Sequence, residues 1–231
     1  MVVELCTWRR VCRLPTDSHA KSDIMRIQPE QFPSIKRMLI RLHTDLFTVN
    51  DKAIPYAEKF GPLNSFEKLV LVLEDRRFFE HNGVDWLAAA RELVKLITFR
   101  RVGGASTIDM QFVRTATGFQ EKTLRRKLYE ILLARIIQFR YSKIVILRSY
   151  LACAFFGSRV YGSEKAAAKI FAKQVAMLDD QQAAELAAML VYPRPLRPEG
   201  KWSAKIKRRA AYGLHWKRRL EQRFEKIPAR E

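Results

Sequence analysis

The stretch LVLVLEDRRFFEHNG, residues 69–83, drives five apolar residues without a break into the carboxylate pair Glu74 and Asp75. Four of the next six residues are charged or histidine. An apolar run of this kind is buried on most sides, so the chain sets an acid at the rim of its own core and rings it with Arg76, Arg77 and His81. Upstream, Asn64 and Glu67 have capping-box spacing and open a helix that runs through Leu73. Lost solvation should raise the Glu74 pKa while the nearby cations lower it again, and opposed influences of that kind suit a general base. The same residues also fit ordinary helix-end carboxylates paired with arginines.

Outward from this stretch the pattern is helical. Asp85 can cap a helix over residues 86–99, which ends in Arg100, Arg101 and the turn Gly103-Gly104. Ser106 is expected to cap the next, stopped by Gly118. A helix over about 121–141 carries LRRKLYE, and Ser142 starts another, IVILRSYLACAFF, apolar almost throughout and ended by Gly157. Two more are expected at about 164–173 and 180–191, the latter opened by the Asp179/Gln182 capping box and closed before Pro193. On the N-terminal side, Ile35, Met38, Leu39, Leu42 and Leu46 recur at helical spacing among Lys36, Arg37 and Arg41, a basic amphipathic helix. Residues 1–33, broken by Pro15, Pro29 and Pro33, carry no usable period and are left unassigned. No alternating strand pattern of useful length occurs. The reading is mainly α: a poorly defined N-terminal extension with a basic amphipathic helix over 1–60, then one domain over 61–231.

The chain of 231 residues, 48% hydrophobic, can bury a sizeable core. Its net charge of +19, from 43 Lys and Arg against 24 Asp and Glu, predicts attraction to a polyanion, an anionic bilayer or a phosphate-bearing substrate without choosing among them. Residues 201–226 hold ten Lys and Arg against Glu221 and Glu225, beside the stripe Ile206, Ala210, Gly213, Trp216, Leu220 and Phe224. That is a terminal helix docked by its apolar side with a solvated basic face, or a contact with anionic lipid. Base-stacking aromatics and recognition-helix motifs are lacking, which argues against nucleic acid. Cys6, Cys12 and Cys153 have neither CxxC nor Cys/His spacing, so no disulfide framework and no metal site is read, and Cys153 is expected to be simply buried. No window approaches the roughly 18 apolar residues of a membrane span, and as written the chain has neither export signal nor anchor.

A second acid, Glu130, shares a helix face with Arg126 and Lys127 at spacings of four and three, and Thr123 and Ala134 continue that face. This is either an exposed ion-pair ladder worth a few tenths of a kcal/mol or a second functional carboxylate. Between the acids, GASTIDMQFVR offers Ser106 and Thr107 hydroxyls at a helix start, a natural anion site, and sets Thr107, Gln111 and Arg114 on one face. Two acids, an anion-binding helix start and a basic cluster together point to glycosyl transfer from a phosphate leaving group.

At these residues the sequence resembles the peptidoglycan glycosyltransferases, which occur as monofunctional enzymes and as the first domain of bifunctional penicillin-binding proteins. EDRRFFEHNG fits the family's Glu-Asp-x-x-Phe-x-x-His-x-Gly motif. GASTIDMQ follows for Gly-x-Ser-Thr-Ile-Thr-Gln-Gln, RKLYE for Arg-Lys-x-x-Glu, then KIVILRSYLACAFFG and YGSEKAAAKIFAK, in order, over roughly residues 66–198. The resemblance implies a lysozyme-like helical lobe with a smaller membrane-associated lobe, polymerising lipid-linked disaccharide-pentapeptide (lipid II) into β-1,4 glycan strands. Glu74 matches the general base that takes the proton of the acceptor's 4-hydroxyl. Glu130 matches the glutamate near the donor pyrophosphate, beside Arg126 and Lys127 or a divalent cation (Mg or Mn), with no cofactor required. Arg91 falls on the arginine of the helix after the first motif and Arg114 on the lysine that neutralises the leaving pyrophosphate. Ser106, Thr107 and Gln111 are placed at the donor site, and Phe78, His81 and Gly83 shape the first loop. Residues 86–101 lie where the membrane-embedded lobe begins.

The partners implied are the lipid-linked precursor, the growing strand, an anionic membrane surface and other cell-wall synthesis proteins. The implied location is the outer, periplasmic face of a bacterial inner membrane, held peripherally. The sequence departs from the pattern at Asp109 for a hydroxyl residue, Met110 for glutamine, Arg114 for lysine, Thr115 for asparagine and Ala152 for the asparagine of Tyr-Leu-Asn. Arginine still neutralises phosphate, and bidentately. Asp109, by contrast, brings negative charge to where pyrophosphate should bind. A degenerate member that binds precursor or cell-wall partners without turnover is therefore the competing reading. A lytic, lysozyme-like enzyme is disfavoured, because glycan cleavage needs no phosphate-neutralising cluster. No room remains for a transpeptidase after the matched region, so no penicillin-reactive serine is expected.

Overall fold

The computed structural model describes residues 34–57, 61–98, 104, 106–118 and 123–225. The chain divides into two compact units, Met1–Arg41 and Leu42–Glu231, at a point inside the first helix, α1 (Ser34–Ala53). In the first unit the basic amphipathic helix is present, and Met38, Leu39 and Ile40 are exposed on it. In the second unit α1 continues with Leu42 and Leu46 packed on the core and Val49 and Ala53 buried in it.

The second unit is helical almost throughout, as the pattern predicts: α2 (Ser65–Glu74), α3 (Trp86–Ile97), α4 (Ile108–Thr117), α5 (Leu124–Gln138), α6 (Lys143–Cys153), α7 (Ser163–Phe171), α8 (Asp180–Val191) and α9 (Gly200–Glu225). The deciding stretch is its centre. Phe66 and every residue from Leu69 to Leu73 are buried, with α8 and α9 packed on α2, while α4 packs on α5 and α6. Each such side chain contributes about 1.5–3 kcal/mol on full burial, so the apolar run fixes where its terminal Glu74 stands. Both halves of the capping box form: Asn64 Oδ1 accepts from the Glu67 N–H at 2.8 Å, and the Asn64 N–H donates to Glu67 Oε2 at 2.9 Å. The Asp179/Gln182 box opens α8 in the same way.

Several expectations need correction. Thr107, not Ser106, caps α4, because Thr107 takes the extended conformation and its hydroxyl accepts from the Met110 N–H. Thr123 lies outside the Glu130 face, since it is the cap of α5. The apolar run of α6 ends at Cys153, before Gly157, and the chain turns into an antiparallel hairpin of β1 (Phe155–Gly157) and β2 (Val160–Tyr161). Strands of three and two residues are too short to show an alternating pattern. Gly157 is needed where it stands: at φ +100° its missing Cβ would fall 2.2 Å from the Arg194 backbone. The terminal helix docks through Ile206, Ala210 and Gly213, yet its basic residues are not all solvated. Lys217 is buried against Asp180 at 2.7 Å, and Arg209 donates to the Leu73 carbonyl at 2.7 Å. Cys153 is only half-buried, enough to push its thiol pKa up to about 11. Residues 1–33, 99–103 and 121–122, on which parts of the expected extension, turn and helix ends fall, lie outside the described residues, as does the Phe224 side chain. No helix among the described residues is long and apolar enough to cross a membrane.

Candidate active site

The end of α2 is tied to the start of α4. Asp75, the residue after Glu74, accepts the Ile108 N–H on Oδ2 at 3.1 Å and pairs through the same oxygen with His81 Nε2 at 3.0 Å. The loop between closes at Gly83, at φ +85°, whose missing Cβ would sit 2.6 Å from the Ala134 carbonyl oxygen. The Gly83 carbonyl accepts the Thr107 hydroxyl at 2.6 Å. These bonds leave Glu74 at the wall of a cleft of about 420 Å³ that Arg91, Ser106, Thr107 and, from α9, Trp216 and Leu220 also line.

Glu74 Oε2 accepts from Gln111 Nε2 at 3.0 Å, while Oε1 is buried and has no protein hydrogen-bond partner. Burial pushes the carboxyl pKa up, the Gln111 bond and the charges of Arg209 and Arg114 pull it back, and Asp75 adds to the rise. The opposed influences are those the sequence suggests, but the cations are different ones. Arg76 stacks on Trp216 at 4.3 Å, Arg77 pairs with Glu80 and Asp85, and His81 belongs to Asp75. Glu74 makes no ion pair among the described residues, so it is not a helix-end acid neutralised by its neighbours.

The second acid is in a different state from an exposed ladder. Glu130 is fully buried, its oxygens 3.5 Å from Arg126 Nε and 4.0 Å from Lys127 Nζ, and neither oxygen accepts a protein hydrogen bond. Lys127 Nζ donates to Ser106 Oγ at 2.9 Å, which joins this cluster to the residues before α4. Burial and then the like charges of Arg114 and Arg126 lower the Lys127 pKa, opposed by Glu130. Arg114 acts electrostatically on Glu74 and on Lys127. Gln111, expected at the donor site, is bonded to Glu74. Phe78 and His81 are buried and do not line the cleft, Phe78 lying under the Lys143 ammonium at 4.3 Å.

Asp75, His81 and Asp109 come close enough together to be weighed as a metal-ligand set. Lys143 already fills the cation's place: its Nζ is 3.0 Å from Asp109 Oδ2 and 3.5 Å from His81 Nδ1, so the arrangement is a buried ion-pair network. The Asp109 carboxylate is wholly buried, paired with Lys143 and bonded by Gln138. It points away from the Gln111–Arg114 face, about half a helical turn around α4. Met110 packs in the core with Val84 and Ala134. Thr115 and Ala152 line a separate cavity of about 680 Å³ with Lys52, Tyr56 and Arg148. Of the five departures, then, only Arg114 acts electrostatically on Glu74 and Lys127.

The transglycosylase family model matches residues 49–216, a span that holds both acids and all of α2 to α8. The chain belongs to the transglycosylase family. Over 130 residues it is 38% identical to a biosynthetic peptidoglycan transglycosylase of Alcanivorax borkumensis, covering 56% of this chain and 52% of that protein. It is 37% identical over 142 residues to the protein of the same name from Rhodospirillum centenum, covering 62% of this chain and 61% of the other. It is 35% identical over 143 residues to penicillin-binding protein 2a of Streptococcus pneumoniae, covering 62% of this chain and 19% of that protein. The chain thus spans about a fifth of the penicillin-binding protein and between half and two thirds of the two transglycosylases.

Two residues of this candidate site escape sequence reading. Arg209 sits among ten basic residues with nothing local to single it out, and its role near Glu74 depends on α9 docking on α2. Tyr150 lies in a run that reads as plain apolar helix, yet its hydroxyl donates to Gln111 Oε1 at 2.6 Å. A buried tyrosine needs a partner for its hydroxyl, and that is the one signal the sequence offered.

Proposed function

We propose that the chain polymerises lipid-linked disaccharide-pentapeptide into β-1,4 glycan strands of peptidoglycan, with inversion at the anomeric carbon and a lipid pyrophosphate leaving. The observation that carries this reading is Glu74 Oε1, a buried carboxylate oxygen without a protein partner at the wall of the cleft. That oxygen takes the proton of the acceptor's 4-hydroxyl as the hydroxyl attacks the anomeric carbon. Negative charge develops on the departing pyrophosphate, and Arg114, Lys127 and Arg126 meet it together with the Ser106 hydroxyl. Glu130 holds the two cations of α5 in place. A divalent cation fits this donor set poorly, since Glu130 is one carboxylate already facing Arg126 and Lys127. Asp109 and Met110, buried in the core, support turnover over binding alone.

The test is incubation of purified protein with labelled lipid-linked disaccharide. Polymer that lysozyme digests is the expected product, and precursor binding without polymer supports the degenerate reading instead. Arg114→Ala should cut the rate by about 10²–10³-fold, the range for losing one preorganised charge-stabilising group. Arg114→Lys should keep most of it. Equal rates in all three forms would remove Arg114 from the donor site.

The same reading includes a lysozyme-like lobe and a smaller lobe at the outer face of an inner membrane. Trp86, Leu87 and Val94 on α3 are about 60% exposed, close to the exposed Arg91. Apolar insertion and about 1 kcal/mol per basic residue at an anionic surface combine in such contacts. Flotation with anionic liposomes should therefore survive in part at high salt, and the Trp86→Ser, Leu87→Ser, Val94→Ser triple variant should lose that salt-resistant part. A triple variant that floats like the parent in high salt sinks the assignment of α3.

A further inference from the structure

The chain of bonds that ends on the base begins at Tyr150. Tyr150 is buried in α6, its hydroxyl donates to Gln111 Oε1 at 2.6 Å, and Gln111 Nε2 donates to Glu74 Oε2 at 3.0 Å. A carboxamide can present either end to a neighbour. An ionised carboxylate accepts only from the NH₂ end, whereas a protonated one can donate to the carbonyl end. In the structure the Tyr150 hydroxyl donates to the carbonyl end, and the NH₂ end faces Glu74. We propose that Tyr150 is a positioning residue for the general base: by holding the Gln111 carboxamide it keeps Glu74 Oε2 engaged and leaves Oε1 as the oxygen offered to the acceptor hydroxyl. The proposal rests on the reading of Glu74 as base.

The surroundings keep the device in one state. Burial raises the Tyr150 pKa well above the usual phenol range, with the Glu74 charge adding to the rise and Arg114 opposing it, so the hydroxyl remains a donor at any working pH. The Gln111 backbone is fixed as well, its N–H donating to the Thr107 carbonyl at 3.0 Å and its carbonyl accepting the Thr115 hydroxyl at 2.8 Å. The charged groups facing Glu74 are Asp75 beside it, Arg114 from α4 and Arg209 from α9. Among the described residues the hydrogen bond to Glu74 comes from Gln111 and from none of these.

The experiment compares the full chain with Tyr150→Phe, which keeps the ring in the core and removes only the hydroxyl. In Tyr150→Phe the amide is free to turn, and the protonated form of Glu74 gains the carbonyl as a partner. The acidic limb of the polymerisation rate should move up by about one pH unit. The rate at neutral pH should fall several-fold while KM for the lipid-linked disaccharide stays within about twofold, since ground-state binding is untouched. The Glu74 carboxyl carbon, assigned by its loss in Glu74→Gln, should show the same upward move in a ¹³C titration without substrate. Gln111→Met should shift the titration as well, and adding Tyr150→Phe to it should shift it no further. An unmoved Glu74 titration in Tyr150→Phe, or full additivity of the two changes, overturns the relay. A moved titration with an unmoved rate limb overturns the base assignment beneath it.

Discussion

Glu74→Gln should lower polymerisation by about 10²–10⁴-fold, the contribution of a positioned general base. Lipid-precursor binding should be nearly intact, because glutamine keeps the size and the bond to Gln111. The fold should gain from the change. Burial raises the Glu74 pKa in the folded protein, so this residue contributes stability at pH below the ordinary carboxylate value and withdraws it as pH rises through the folded value. Once ionised, the parent holds a carboxylate charge that its buried setting disfavours. The thermal midpoint of Glu74→Gln should then exceed the parent's at pH 7, and the gap should close on acidification. A variant that polymerises at the parent rate, or that melts lower at neutral pH, removes Glu74 from the role given to it here.

Asp109→Ala should cost about 3–5 kcal/mol of stability, the usual penalty for stranding one partner of a buried ion pair. Lys143 would keep its ammonium among Phe78, His81 and Asp75 with its nearest counter-charge gone. Burial raises the Asp109 pKa and lowers that of Lys143 despite their mutual attraction, so desolvation outweighs pairing for both. Asp109 accordingly contributes stability below the ordinary carboxylate range and loses it as pH rises through its folded value. Lys143 contributes above the ordinary lysine range and loses it as pH falls through its own. The double change Asp109→Leu with Lys143→Met removes both losses and should recover most of the single-variant penalty, most clearly at neutral pH. Urea denaturation measures all three. Additive losses in the double variant would show that the pair is not the unit described.

The helices around Glu74 are legible because their signals are local. Both capping boxes, the Gly118 stop and the buried run of α2 lie within a few residues of what they determine. Ser106 and Thr107 are adjacent residues of the same chemistry, and only backbone conformation tells which one caps α4. Glu130 is a harder case, since its spacing to Arg126 and Lys127 is the same whether the face is solvated or buried. Burial there depends on α4 packing on α5, which no spacing records. The partners of Glu74 are further still from its own segment: Gln111 is 37 residues away, and Arg209 bonds the preceding carbonyl from 136 residues away. Asp109 shows the limit most clearly. Its residue type suggested a charge in the site, and its position on α4 turned that charge into the core.

The measurement that bears most directly on Glu74 as the base is the pH dependence of kcat/KM for lipid-linked disaccharide, set beside a ¹³C titration of the Glu74 carboxyl in the unmodified protein. The proton must leave the acceptor hydroxyl for an ionised carboxylate, so activity should rise with pH along a limb that coincides with the Glu74 titration. Both should lie above the ordinary carboxylate range, as burial at the end of α2 requires. A limb that follows some other group, or a Glu74 titration at the value of a solvated carboxylate, would contradict the account.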